Sequence, residues 1–468
     1  MESGLTHLIY DCSPVWVQNL FCSYIGYQNK KLRYTKRFDK ILDELSKSEW
    51  WSLGDLKALQ NERLSKLVEH AYRTVPYYRE VMDRLKLKPE DVRTVEDLPK
   101  LPVLEKQTVR ERFSDLISTE AGRRDKIFGH TSGTTGTALH LLWSRESVAF
   151  EFATVWRLRR RFGADLDQPH ATFAGRRVVP VKQSSPPFWR ENRVLKQTLF
   201  SLYHMTPQNL MSYYEQLERT RYSFLTGFPS ILHLMATFMD SRGLRLGYRP
   251  HGVFVSAESL LAFQIEVMER AFSTTVYDRY GMAEFCASMT QCEVGRMHED
   301  MEFGVIERED ERTVPDGVTA NLLCTGLANT TMPLIRYRSG DTATFATTPC
   351  ACGRHSTSVT WIEGRMEDYV VTPEGLCIAR LDYIFKDMGH IRESQILQET
   401  TEAITVRVVR DAAYGAADEK ELLEGFRRTL GERIRIDIEY VEAIPRLPSG
   451  KYRWVESKVG RMRSNLGV

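Results

Sequence analysis

Residues 253–284 read VFVSAESLLAFQIEVMERAFSTTVYDRYGMAE. Val253, Phe254 and Val255 make a short apolar run rich in strand-forming residues, residues 260–272 have helical character, and residues 275–277 predict another strand. A strand, a helix of roughly 10–15 residues and a second strand is the unit from which α/β layers are built. The second strand leads directly into Tyr280-Gly281-Met282-Ala283-Glu284, so an aromatic, a tight turn and a carboxylate sit just beyond its end.

The same alternation extends in both directions. Pro229 and Ser230 can open a helix that Gly243 closes, and Ser144 is a plausible N-cap for a helix ending at Gly163. Between Phe128 and Ser144 a Gly/Thr loop leads into a strand formed by Leu139, Leu141, Leu142 and Trp143. Residues 31–116 are helical, with Leu56, Leu59, Leu64, Leu67, Ala71 and Tyr72 near a 3.6-residue period, and Pro76, Pro89, Pro99 and Pro102 cut them into pieces. Beyond Trp361 the style changes: residues 395–409 alternate as a strand, Leu422, Leu423, Phe426 and Leu430 mark a helix, and residues 434–441 alternate again. The expected fold is α/β, with a large layered N-terminal domain over residues 1–363, mainly helical in residues 1–120, and a small α+β domain over 364–468.

Composition narrows the function. Of 468 residues, 42% are hydrophobic and 27% charged, and 64 basic against 62 acidic residues leave a net charge of +2. That excludes a disordered chain and a polycation made for nucleic acid. Arg157, Arg159, Arg160 and Arg161 are expected to form a solvated helix face. Eight cysteines in so long a chain do not make a disulfide scaffold. Asp11, Pro14, Gln18 and Asn19 interrupt the apolar residues 5–27, which excludes a signal peptide and a transmembrane span there. A soluble cytoplasmic protein is expected, with this segment packed on its own domain; a membrane surface or a partner is the alternative.

Thr131-Ser132-Gly133-Thr134-Thr135-Gly136 combines glycines, which allow close backbone approach, with hydroxyls and N–H groups able to surround phosphate oxygens. It lacks the Gly-Lys-Ser/Thr ending of a Walker A loop. Arg336-Tyr337-Arg338-Ser339-Gly340-Asp341 offers a carboxylate able to accept two ribose hydroxyls, Gly364-Arg365-Met366-Glu367-Asp368 follows, and Pro448-Ser449-Gly450-Lys451 comes near the C-terminus. No Gly-x-Ser-x-Gly elbow or His-Glu-x-x-His helix is present, which removes the nucleus of a serine hydrolase or zincin reading.

In this order the motifs resemble those of the acyl-adenylate-forming superfamily of acyl-CoA ligases, adenylation domains and luciferases. Ala71-Tyr72-Arg73-Thr74-Val75-Pro76-Tyr77-Tyr78, Leu98-Pro99-Lys100-Leu101-Pro102 and Ile391-Arg392-Glu393-Ser394-Gln395 are similar to the phenylacetate-CoA ligase branch, and within it to the group associated with capsular polysaccharide genes. The resemblance implies an ATP-dependent, AMP-forming ligase. A carboxylate attacks the α-phosphate, pyrophosphate leaves, and coenzyme A captures the acyl group; an amine acceptor in polysaccharide biosynthesis, or a non-catalytic nucleotide-binding scaffold, are the alternatives.

It also implies residue roles. Thr131, Ser132, Gly133, Thr134, Thr135 and Gly136 would cradle phosphates, Glu284 would bind Mg²⁺, and Lys451 would bridge the carboxylate and the α-phosphate. Asp341 would hold the ribose, Arg365 would reach ribose or phosphate, and Tyr280, Gly281, Ser256, Ala257 and Glu258 would complete the AMP site. Gly227, Phe228, Pro229 and Met282, with Cys286, would border the acyl pocket, and Asp368 would be the hinge on which the small domain turns. Thr137, Ala138 and Leu139 follow the last loop glycine where many relatives have a lysine, which leaves His140 or Mg²⁺ to face the outer phosphates.

Cys292 with His298, and Cys350 with Cys352, offer four ligands for a structural, tetrahedral Zn²⁺. His204 is either a pocket residue or a satisfied core histidine. The substrates implied are a small carboxylic acid and ATP, with no nucleic acid; the sequence does not state an oligomeric state.

Overall fold

A computed structural model describes residues 9–131, 139–173, 175–309, 317, 319–363, 370–378, 381–385, 388, 390–445 and 454–459. Among the described residues a mixed sheet of twelve strands forms the spine. Its central strands, His170–Phe173, Phe224–Gly227, Val253–Ser256 and Val276–Gly281, run parallel, and Gln197–Phe200 joins them on one side. These are short, apolar strands covered on both faces, as parallel sheets require.

The expected strand, helix, strand order over residues 253–281 is present, with helix Ala262–Phe272 between the two strands. Helix Pro229–Asp240 opens on its proline, and Gly243 takes φ +65 beyond its end. Helix Arg145–Arg161 starts where Ser144 Oγ accepts the Ser147 N–H. Before it, the segment read as loop then strand is a hairpin: Ile127–His130 pairs antiparallel with His140–Trp143.

In the C-terminal part, strand-like alternation over residues 395–409 hides a turn. Ile391–Thr400 and Ala403–Arg410 are two antiparallel strands, because period-2 patterning on both arms of a hairpin reads as one strand when the turn, here Thr401 and Glu402, carries no glycine or proline. Arg435–Tyr440 and Val455–Ser457 add parallel edges, and helix Ala416–Leu430 buries Leu422, Phe426 and Leu430.

The arginine run departs most from expectation. Arg157 is buried, the Arg161 side chain is 6% exposed, Arg159 is half-buried, and Arg160 alone of the four faces water. Arg157 lies between Asp300 at 2.6 Å and Glu302 at 2.8 Å, and Arg161 meets Glu49 at 2.8 Å. Charge runs predict solvated faces only when no carboxylates wait on the packed side, and those carboxylates are distant in sequence.

The N-terminal helix Val15–Arg33 turns Gln18, Cys22 and Gly26 inward while Trp16, Leu20 and Tyr24 stay exposed. No helix among the described residues is long and apolar enough to cross a membrane.

Candidate active site

The hairpin that carries the Gly/Thr loop is clamped at the loop's base. Thr131 N–H donates to Leu139 O, and Leu139 N–H donates to Thr131 Oγ1, both at 3.0 Å. Ser132, Gly133, Thr134, Thr135 and Gly136 lie outside the described residues, as do Arg365, Asp368 and Lys451. Gly129 makes room for the Trp143 ring, since a Cβ there would lie 2.2 Å from it. Trp143 in turn donates from Nε1 to Ala283 O at 2.9 Å and stacks on Phe285 at 4.7 Å. The hairpin is thus fastened to the Tyr280–Glu284 turn, although about 140 residues separate them in sequence.

That turn is braced against the segment bearing Asp341 by two reciprocal bonds. Tyr280 OH donates to Asp341 Oδ2 at 2.8 Å, and Tyr337 OH donates to Glu284 Oε1 at 3.0 Å. Both carboxylates accept from a phenol, and burial first, then the nearby Asp341, raises Tyr280 well above its ordinary value. Glu284 is 8% exposed and keeps its second oxygen for another partner. Two sequence motifs therefore meet beyond the carboxyl end of strand Val276–Gly281, on the side where open α/β sheets bind ligands, and the hairpin that leads to the Gly/Thr loop is fastened to one of them.

Of the seven non-glycine residues with positive φ among the described residues, Lys86, Lys196, Arg221 and Ser273 follow helix ends, and the other three lie at the motifs. Ala257, Phe285 and Arg336 take φ of +72, +54 and +53, although none is glycine. Each directly adjoins or lies in a motif segment, and such conformations persist where the surroundings over-determine them. Arg336 is fixed by Glu307 at 3.1 Å and by Leu101 O at 2.6 Å, which ties the proline-rich end of the helical opening to the Asp341 strand.

Other candidates have different surroundings. Glu258 Oε2 accepts Ser230 N–H at 3.0 Å, so its carboxylate caps helix Pro229–Asp240. A Cβ on Gly227 would lie 2.5 Å from Phe173 O, so Gly227 lets two strands approach and offers no wall of its own. Phe228 and Met282 are half-buried, and Pro229 is buried. Cys286 is buried, 1% exposed, with Sγ 3.3 Å from Glu284 O. His204 is a core histidine, 4% exposed, with Nδ1 2.7 Å from Ser201 Oγ and burial holding it down to about 4. His140 is exposed at the hairpin.

Cys292, His298, Cys350 and Cys352 converge, with all four ligand atoms within 4.8 Å of one another. Cys292 Sγ and Cys350 Sγ are 3.7 Å apart, and Cys352 Sγ is 3.4 Å from His298 Nε2. A tetrahedral zinc with ordinary bond lengths sets about 3.8 Å between sulfurs and about 3.5 Å between sulfur and nitrogen, so the set fits. His298 Nδ1 lies 3.3 Å from Ser356 Oγ, which fixes the ring, and burial, first among the causes, brings its pKa to about 4, so the imidazole is neutral as a ligand must be.

The chain shares the fold of adenylate-forming ligases, the class that its motif order resembles. A crystal structure of 2-hydroxyisobutyryl-CoA ligase in complex with 2-HIB-AMP and CoA shares the fold with a TM-score of 0.61 at 19% identity, covering 89% of this chain and 93% of that one. Within that class, residues 370–458 match the CapK C-terminal domain, and the chain is similar to Protein CapK of Staphylococcus aureus, 25% identical over 97% of this chain and 100% of that one. It is also similar to phenylacetate-coenzyme A ligases of Thermus thermophilus, at 24% identity over 88% of this chain and 91% of the relative, and of Escherichia coli, at 26% over 64% and 69%.

Proposed function

We propose that this chain activates a carboxylic acid with ATP as the acyl-adenylate, releases pyrophosphate, and passes the acyl group to coenzyme A. The observation that carries this reading is the double brace of Tyr280 to Asp341 and Tyr337 to Glu284, which ties two carboxylate-bearing segments together, with the hairpin that leads to the Gly/Thr loop fastened to one of them through Trp143. Two carboxylates, one suited to ribose hydroxyls and one to a cation, beside a phosphate cradle are what ATP with Mg²⁺ needs. Charge grows on the α-phosphate and the leaving pyrophosphate, so fixed donors and a cation there lower the barrier.

In this reading Ser132 to Gly136 hold phosphates, Glu284 binds Mg²⁺, Asp341 holds the ribose, and the strained turn at Ser256 and Ala257 lines the base, with Glu258 supporting it from the helix cap. Phe228, Pro229 and Met282 border the acyl group. Residues 364–468 act as a small mobile domain hinged at Asp368, which brings Arg365 and Lys451 to the nucleotide. The test is ATP–pyrophosphate exchange with a panel of acids, followed by product masses with and without coenzyme A. An acid-dependent exchange that ends in a thioester supports the reading. Exchange ending in an amide without coenzyme A reassigns the acceptor to an amine, and no exchange with any acid sinks the ligase.

The four-ligand cluster is a structural zinc site in this reading, with every coordination position filled by protein. Purified protein is expected to contain one zinc per cluster by metal analysis, and Cys350→Ser to lose it. A tight ligand present at 100 times its Kd or more adds about 3 kcal/mol or more of stability, so chelation is expected to lower Tm clearly and zinc to restore it.

A further inference from the structure

Several shielded arginines among the described residues meet carboxylates: Arg157 with Asp300 and Glu302, Arg279 with Glu151, Arg336 with Glu307 and Arg354 with Glu293. Arg190, fully buried, is answered instead by four neutral oxygens, those of Gln18, Gln183 and the carbonyls of Pro187 and Trp189. Arg33 and Arg159 have neither a carboxylate nor such a set. Both are half-buried, neither forms an ion pair among the described residues, and the Nε of each is shielded from solvent with no hydrogen-bond partner. Arg159 donates to Thr226 Oγ1 at 3.2 Å and lies 4.8 Å from the centre of the Trp156 ring; Arg33 lies 4.2 Å from that of Phe152. The Tyr34 ring stands 6.0 Å from Phe152 and 6.3 Å from Trp156, so both guanidiniums flank one aromatic group.

A third arginine adds to them. Arg176 repels Arg33 and has no ion pair among the described residues. Burial lowers Arg33 and takes Arg159 down to about 10; the Tyr34 phenol opposes both shifts, and no carboxylate does. Arg33 and Arg159 are two like charges in a partly dry place, with the exposed Arg176 near Arg33, an unfavourable arrangement in which cation–π contacts return less than desolvation removes. Arginines kept in that state suit an anion that arrives from outside.

Their position says which anion. Thr226 is in strand Phe224–Gly227, two residues before Phe228, and a Cβ on Gly175, the residue before Arg176, would lie 3.5 Å from the Phe228 ring. Thr226, Gly227 and Phe228 are half-buried, so the end of this strand is reachable from solvent. Resting on the acyl-adenylate reading above, we propose that the acid carries a second anionic group, a carboxylate or a phosphate, remote from the reacting carboxyl, and that Arg33, Arg159 and Arg176 receive it. A neutral aryl acid leaves these charges unanswered.

The test compares matched acids in ATP–pyrophosphate exchange: succinate against succinamate, and 3-phosphoglycerate against glycerate. The member with the second charge is expected to have a kcat/KM at least tenfold higher in one pair or the other, and the pair that responds tells carboxylate from phosphate. Arg159→Gln should bring that ratio towards one, and Arg159→Lys should restore part of it. Equal use of charged and neutral members, or a ratio that survives both Arg159→Gln and Arg33→Gln, overturns the proposal. Exchange with none of the acids counts against the ligase itself; calorimetry with succinate and with inorganic phosphate on the full chain then reads the anion site alone, with loss of binding in Arg159→Gln expected and absence of binding to the unaltered chain overturning it. A structural role is separated by Arg159→Met: removing an unpaired charge should leave Tm no lower, and a large fall overturns the proposal.

Discussion

Lys451→Ala is expected to lower acid-dependent ATP–pyrophosphate exchange by about 10²–10³-fold, the usual loss when one fixed donor to developing charge is removed. The argument starts from local chemistry. Pro448-Ser449-Gly450 is turn-forming sequence, so a lysine that follows it is suited to present its ammonium to a ligand, and the attack of a carboxylate on a phosphate brings two anions together. One cation touching both reduces their repulsion and the charge of the transition state. In the proposed cycle Lys451 serves only the first half-reaction, because the small domain then turns on Asp368. Supplied acyl-AMP should therefore still be captured by coenzyme A in the Lys451→Ala protein at a rate near that of the unaltered chain. Equal loss of both half-reactions would mean that Lys451 supports the fold or the acceptor site instead, and unaltered exchange would favour the non-catalytic scaffold.

Local patterning made the parallel layers legible. Val253 to Val255, Pro229 with Gly243, and Ser144 each announce a boundary through residues next to it in sequence, and each boundary is found within two or three residues. Each motif of the candidate site is short enough to be named from sequence, and the structure brings two of them, the Tyr280–Glu284 turn and the Asp341 segment, together. What binds them together was not legible. The donors Tyr280 and Tyr337, and the Trp143 clamp on Ala283, act across long sequence separations, and a tyrosine near a motif carries no mark of its partner. Glu258 shows the reverse: its place beside the base was anticipated, whereas its bond to the Ser230 N–H depends on a helix whose start lies 28 residues away. The arginine run failed for one further reason. A helix face is solvated or buried according to what packs on it, and Asp300 and Glu302 lie about 140 residues beyond.

That buried network carries the second large effect. Arg157→Leu is expected to lower stability by about 3–5 kcal/mol, measured as a fall in the unfolding midpoint in urea or in Tm. Burial opposes the guanidinium charge, and Glu302 with Asp300 more than restores it. Asp300 also accepts from Ser288 and from Thr290 at 3.0 Å, while Glu302 accepts from Ser48. Without the arginine both carboxylates remain 3% exposed or less, with hydroxyl donors and no ion pair of their own, although Arg63, which donates to Glu302 O at 2.6 Å, stays near Glu302. The loss then comes from the two stranded anions, more than from the net worth of the ion pairs, which for buried charges is small. A combined Arg157→Leu, Asp300→Asn, Glu302→Gln protein distinguishes these: with the anions gone it should recover a large part of the stability lost by Arg157→Leu alone. If the triple change is as damaging as the sum of its parts, the pairs themselves stabilise the fold. The same region holds the zinc ligands, since Arg354 follows Cys352 by two residues and meets Glu293 and, at 3.6 Å, Glu49, which Arg161 also contacts. Arg157→Leu is accordingly expected to weaken zinc retention during dialysis against a chelator, whereas Lys451→Ala leaves it unchanged.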